Sequence, residues 1–149
     1  MAQKISIIQL EHAAGLPLPS YETALAAGAD LRAALPDGPV VIQTMDRLAI
    51  PTGLALSMPE HLEAQIRPRS GLALRYGLTL ANAPGTIDAD YRGEIKVLLV
   101  NLGRDEVVIE HGMRIAQMVF APIIKVLFNK VSQLDITDRG AGGFGSTGQ

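Results

Sequence analysis

Hydrophobic residues in this chain come in short runs separated by Gly and Pro almost everywhere up to Pro122. The runs KISIIQL, VVIQT, GLALSM, EAQIR, EIKVLLVNL, EVVIE and RIAQMVFAPIIKVLF are rich in Val, Ile and Leu. Several alternate with the two-residue period of a strand. In Glu94–Leu99, for instance, Ile95, Val97 and Leu99 fall on one face. Many short strands with frequent turn signals predict an all-β sandwich or barrel. One short helix is expected near Gly71–Tyr76, with Ser70 as its cap and Gly77 as its stop. Residues 60–66 are compatible with a helical turn as well as a strand. The run RIAQMVF reads as a buried strand whose polar exceptions, Arg114 and Gln117, are either satisfied core groups or ligand contacts. There is no internal repeat and no linker. The pattern stops at Arg139: five of the last eleven residues are Gly, and only Phe144 is strongly apolar. A segment that buries so little and loses so much entropy on ordering is expected to be mobile unless a ligand orders it.

Composition narrows this picture. The chain has 149 residues, enough for one domain with a sizeable core, and is 48% apolar and 19% charged, as globular chains are. Aromatics make up only 4%, so aliphatic residues must fill the interior. The net charge of −2 offers no general attraction to nucleic acid or an anionic membrane, so any anionic ligand needs local basic groups or a metal. The absence of cysteine excludes disulfides, thiolate zinc sites and a Cys nucleophile. No apolar run approaches the roughly 20 residues of a membrane span. The first residues lack the organisation of a signal peptide, so the expected location is the cytoplasm.

Five segments carry candidate chemistry. The tail DRGAGGFGSTGQ contains G-x-G-x-x-G, yet only four residues follow Gly145, so no helix can back it. It is either a frayed terminus or a lid in which Phe144 stacks on a base while Arg139, Ser146, Thr147 and backbone N–H groups meet phosphates. In NAPGTIDADYRG, Asp88 and Asp90 lie two apart between Gly85 and Gly93 and would share a side of an extended hairpin. This is either a polar hairpin tip or a carboxylate placed as general base with Tyr91 as a flat neighbour. In RPRSG, Arg67, Arg69 and Ser70 form either a helix start with two solvated arginines or an anion site. Asp30, in AGADL, reads as a turn residue that becomes a metal candidate if phosphates lie nearby. The three histidines, at 12, 61 and 111, share no spacing and read as surface residues.

Taken together and in order, the segments AGADL (27–31), RPRSG (67–71), NAPGTIDADYRG (82–93), RIAQM (114–118) and RGAGGFGSTG (139–148) resemble the five motifs of the trimeric dUTP diphosphatases, the dUTPases. The resemblance spans residues 17–148. It implies a jelly-roll domain over 1–138 with a lid over 139–149, a homotrimer whose active sites are shared between subunits, and hydrolysis of dUTP to dUMP and pyrophosphate with Mg²⁺. Such an enzyme keeps uracil out of DNA and supplies dUMP for thymidylate synthesis. By the same resemblance Asp88 is the base that activates water for attack on the α-phosphorus. Tyr91 packs on the deoxyribose and excludes a 2′-hydroxyl, and Asn82 and the backbone of Gly85, Thr86, Ile87 and Lys96 read uracil. Arg69, Ser70, Gly71 and Gln117 hold phosphates, Asp30 holds Mg²⁺ through water, Phe144 stacks on uracil, and Arg139, Gly145, Ser146 and Thr147 close on the outer phosphates. The sister dCTP deaminases carry a catalytic Glu on the strand that follows the hairpin. Leu98 stands at that position here, which counts against deamination. Retention of base, sugar gate and lid counts against a catalytically dead binding protein on the same trimer.

Overall fold

The structure, a computed structural model, describes residues 3–143. In chain order the elements are β1 (Ser6–Gln9), a 3-10 turn (Glu11–Ala13), β2 (Ala29–Arg32), β3 (Val40–Ile42), β4 (Arg47–Pro51), β5 (Leu54–Ser57), β6 (Leu62–Arg67), α1 (Ser70–Tyr76), β7 (Leu78–Leu80), β8 (Gly85–Ile87), β9 (Lys96–Asn101), β10 (Val107–Ile109) and β11 (Arg114–Pro122). The strands form four sheets: β1-β5, β3-β10, β2-β11-β6-β8 and β4-β9-β7. Every pairing is antiparallel. The expected all-β architecture with one short helix is therefore present.

The alternation read in β9 is met. Val97 and Leu99 point into the core with Ile95 just ahead of the strand, while Leu98 faces outward. The interior is aliphatic, with Leu31, Ile42, Ile50, Leu78, Ile95, Leu99, Ile109 and Ile115 among its largest fully buried side chains. The helix ends at Gly77, which takes the left-handed conformation (φ +67°). Ser70 is the first helical residue rather than the cap. Arg69 holds the cap position in extended backbone and makes no side-chain capping bond.

Two expectations need correction, and a choice left open between strand and helical turn resolves to strand. Asp30 is not in a turn. It lies in β2, where Ala29 and Leu31 point inward and Asp30 and Arg32 outward. Residues 62–67 are strand, not helical turn, because β6 finds partners on both edges in β11 and β8. The long run after Arg114 ends as a strand at Pro122, opposite Leu62, where β6 runs out. The ring of Pro122 also removes a donor at that point. Beyond it Ile123 N still donates to His61 O (3.0 Å), after which the described chain forms no strand, and Ile124, Leu127, Phe128, Leu134 and Ile136 are largely exposed. No helix among the described residues is long and apolar enough to cross a membrane.

Among the described residues only two polar side chains are buried, Thr52 and Asn101. Asn101 Nδ2 donates to Ile42 O (2.9 Å) and Asp105 O (2.8 Å), and its Oδ1 accepts from Gly103 N (2.8 Å). One amide thus ties β3, the end of β9 and the following turn together. Asn101→Ala strips partners from three backbone groups, the Ile42 carbonyl among them fully buried. It should cost about 2–4 kcal/mol, read as a lower urea midpoint at unchanged slope.

Candidate active site

Strand β11 lies between β2 and β6 and gathers the polar groups of one cleft. Gln117 stands directly opposite both Asp30 of β2 and Arg67 of β6. The pairing with β2 slips between Arg114 and Ala116, so Ile115 is the extra residue of a bulge. Ile115 and Ala116 are consequently both buried, and Arg114 turns to the same side as Asp30. The Asp30 carboxylate, only 13% exposed, is gripped on both oxygens: Arg69 Nε lies 3.1 Å from Oδ1 and Arg114 Nη1 lies 2.9 Å from Oδ2. Arg69 also donates to Arg114 O (3.3 Å), and Arg114 reaches Glu22 at 3.5 Å. Gln117 Nε2 donates to Pro68 O (2.9 Å), which fixes the segment leading into α1. Gly28 leaves room for this side chain, since a Cβ on it would lie 3.1 Å from Gln117 Cδ and push the amide aside.

These residues line a cavity of about 250 Å³ with Glu22, Asp30, Arg69, Ser70, Gly71 and Gln117 on its walls. Arg114 and Gln117, left open between core and ligand contact, are half-buried groups bonded at this cleft. Glu22, which motif reading passed over, is one of the walls. It sits in an irregular segment whose acidic residue has no distinguishing neighbour in sequence. The two carboxylates balance the two guanidinium groups, so the pocket alone offers an anion geometry rather than net charge. Among the described residues no three His, Cys, Asp or Glu side chains cluster to chelate a metal. Asp30 and Glu22 are the two carboxylates on the walls of this cleft.

The second group of candidates surrounds the segment between β8 and β9. Asp88 and Asp90 do not share an extended strand. β8 ends at Ile87, and Asp88 to Tyr91 form a turn closed by Tyr91 N donating to Asp88 O (3.1 Å). Arg92 Nη1 braces it by donating to Ala89 O (2.7 Å) and Tyr91 O (3.0 Å). A cavity of about 530 Å³ lies on one side, lined by Thr86, Ile87, Asp88, Tyr91, Lys96 and Leu98 among others. Asn82 and Gly85 are not on its walls. The Asn82 side chain instead lies over Gly85, where an added Cβ would be 3.2 Å from Nδ2. His12, expected on the surface, is half-buried and bonded to Glu94 (2.7 Å). His61 and His111 are exposed as expected.

The two cavities share no residue, and the strand register explains why. β6 and β8 run antiparallel, with Ala64 opposite Ile87 and Ile66 opposite Gly85. Asp88 therefore leaves at the Glu63 end of β6, whereas Arg69 follows the Arg67 end. Four strand residues separate those ends by roughly 13 Å, with two more residues to Arg69. Within one chain Asp88 and the arginine cleft do not converge. In the tail, Arg139 Nε donates to Gly142 O (2.9 Å) and Gly140 takes φ +50°. Phe144, Gly145, Ser146 and Thr147 lie outside the described residues.

A carboxylate able to take a proton from water, with arginines able to take phosphate oxygens, is the equipment of enzymes that hydrolyse phosphoanhydrides. Known proteins narrow the class. The sequence model of the dUTPase family matches residues 14–148. Deoxyuridine 5′-triphosphate nucleotidohydrolase of Brucella melitensis is 58% identical over 148 residues, covering 99% of this chain and 94% of that one. The protein of the same name in Rhizobium meliloti is 55% identical over 145 residues, covering 97% and 91%. Among solved structures, the dUTPase of Staphylococcus bacteriophage 80alpha with dUpNHpp superposes at TM-score 0.88 and 24% identity, over 99% of this chain and 100% of that one. A dUTPase of phage phi11 of S. aureus, described with a structural Mg(II) ion, superposes at 0.78 and 21% identity over 89% and 99%. The chain belongs to the dUTPase family and is, as such, an enzyme, a dUTP diphosphatase.

The Asp30 bridge can be tested directly. Asp30→Ala should leave the fold intact by circular dichroism but free both arginines. It is expected to lower kcat/KM for dUTP by about ten- to a hundred-fold.

Proposed function

We propose that this enzyme hydrolyses dUTP to dUMP and pyrophosphate in sites shared between the subunits of a homotrimer. The observation that carries this reading is the placement of Asp88 and the Asp30–Arg69–Arg114 cleft at opposite ends of β6, so that a second chain is needed to complete a site. The exposed apolar arm beyond Pro122 supports the same assembly, since a free chain would leave it in water. In the proposed site Asp88 accepts a proton from water as the water oxygen bonds to the α-phosphorus. The bond from that phosphorus to the α,β-bridging oxygen breaks, and pyrophosphate leaves. Uracil occupies the cavity between β8 and β9, read by Asn82 and by the backbone of Gly85, Thr86, Ile87 and Lys96. Edge hydrogen bonds of this kind reject other bases by leaving buried groups unpaired. Tyr91 lies against the deoxyribose and leaves no room for a 2′-hydroxyl.

Arg69, Ser70, Gly71 and Gln117 take phosphate oxygens. The balanced charge of that cleft means that more positive charge must come with the substrate and the lid. Mg²⁺, when bound, neutralises the phosphates and draws electron density from the scissile centre. Asp30, with Glu22 beside it, would hold it through water. Arg139, Gly145, Ser146 and Thr147 close on the outer phosphates, and Phe144 stacks on uracil, so residues 139–149 act as a lid on the domain formed by 1–138. The proposed physiological role is the removal of dUTP before uracil enters DNA, in the cytoplasm, with dUMP as the useful product.

Two variants test the shared site. Asp88→Asn should abolish turnover while dUTP still binds, and Arg69→Ala should be nearly inactive through lost phosphate contacts. Co-refolding the two inactive proteins at equal amounts should restore about a quarter of the wild-type sites, because random trimers pair an intact Asp88 with an intact Arg69 from another chain. Persistent inactivity of refolded mixed trimers would place both residues in one subunit's site and defeat the proposal.

A further inference from the structure

We propose that Glu94, supported by His12, is a positioning residue that aims Tyr91 and thereby sets the sugar discrimination of the site; this rests on the reading of Tyr91 as the surface that meets the deoxyribose. The Tyr91 ring is 45% exposed, so packing alone does not orient it. Its hydroxyl donates to Glu94 O at 3.0 Å. The ring also folds back over residue 93, where a Cβ would lie 2.6 Å from Tyr91 Cζ, so only Gly93 permits this pose. The direction of the phenol therefore depends on where the Glu94 carbonyl points.

That carbonyl belongs to one planar unit with the N–H of Ile95. The Ile95 N–H donates to Leu54 O (2.8 Å), and Ile95 O accepts from Thr52 Oγ1 (2.6 Å) and Thr52 N (3.3 Å). In a trans peptide the carbonyl and N–H point oppositely, so holding Ile95 N–H on the 52–54 turn turns the Glu94 carbonyl out toward Tyr91. The Glu94 side chain closes the same clamp. Its Oε1 accepts from Gly53 N (2.8 Å) and from His12 Nε2 (2.7 Å), and the side chain is only 17% exposed. His12 comes from the 3-10 turn, whose preceding residue, Leu10, donates to Gly53 O (2.7 Å). Residues 94 and 95 are thus fastened to residues 52–54 on both backbone and side chain, and Tyr91 hangs from the outer face of that fastening.

The experiment compares kcat and KM for dUTP and UTP in the wild type, Tyr91→Ala, Glu94→Ala and Glu94→Gln, each checked for native circular dichroism. Tyr91→Ala should relax the preference for dUTP. Glu94→Ala should also lower the dUTP/UTP ratio of kcat/KM, by about ten-fold, mainly through KM for dUTP, because a misplaced positioning group misaligns the sugar. Glu94→Gln should restore the ratio, since an amide oxygen still accepts from Gly53 and His12. If Tyr91→Ala relaxes discrimination while Glu94→Ala leaves it at the wild-type value, or if Glu94→Gln fails to rescue, the positioning role is wrong and the Tyr91 reading survives. If Tyr91→Ala itself changes nothing, the Tyr91 reading fails and takes this inference with it. Should Glu94→Ala not fold, His12→Ala reads the same contact with one donor left. A smaller fall in the ratio supports the inference, and an unchanged ratio overturns it.

Discussion

The cleft depends on one strand being bonded along both edges and slipping once. β11 has β2 on one side and β6 on the other, and a bulge at Ile115 separates Arg114 from the strict alternation of its neighbours. Without the slip Arg114 would share the inward face with Ala116 and Met118, and an unpaired guanidinium would have to enter an aliphatic core. With it, Arg114 and Gln117 stand beside Asp30, and the carboxylate gains a partner on each oxygen. A single carboxylate fixed between two arginines then determines where both guanidinium groups can meet an anion. The price is net charge: with Glu22 also present, the cleft is pre-shaped but nearly neutral.

The hairpin is organised on a different principle. The Asp88–Tyr91 turn has no large apolar anchor of its own. It is held by backbone bonds and Arg92 at its tip, and by residues 94 and 95 on the 52–54 turn at its base. Such a segment places an exposed carboxylate and an exposed ring with little help from packing. Precision at Asp88 and Tyr91 therefore comes from hydrogen-bond geometry, and it is vulnerable at the few atoms that supply it.

Much of this was legible in sequence. The strand-period runs predicted the all-β fold, the low aromatic content an aliphatic core, and Gly77 the end of the helix. The ordered motifs led to the family that the whole-chain matches establish. Other features were hidden for physical reasons. Strands β2, β4, β7 and β8 have three to five residues, too few to show a period above the noise of their turns. Asp30 reads as a turn residue because Gly28 precedes it, and nothing local reveals that a partner strand waits at Gln117. The bulge is a property of the pairing, not of RIAQM. His12 and Glu94 are 82 residues apart, so neither position signals the other.

The exposed arm and the divided site answer one another. A chain that ends its strand at Pro122 and then presents Ile124, Val126 and Phe128 at the two-residue strand period leaves a row of apolar groups exposed among the described residues. The Asp88 turn, which leaves β8 beside one end of β6 while the arginine cleft forms at the other, needs under the proposed reading a second chain held in a fixed register. Under the proposed assembly the same residues meet both needs. Burying the arm supplies the free energy that fixes neighbouring subunits, and that fixed register brings the Asp88 turn of one to the arginine cleft of another.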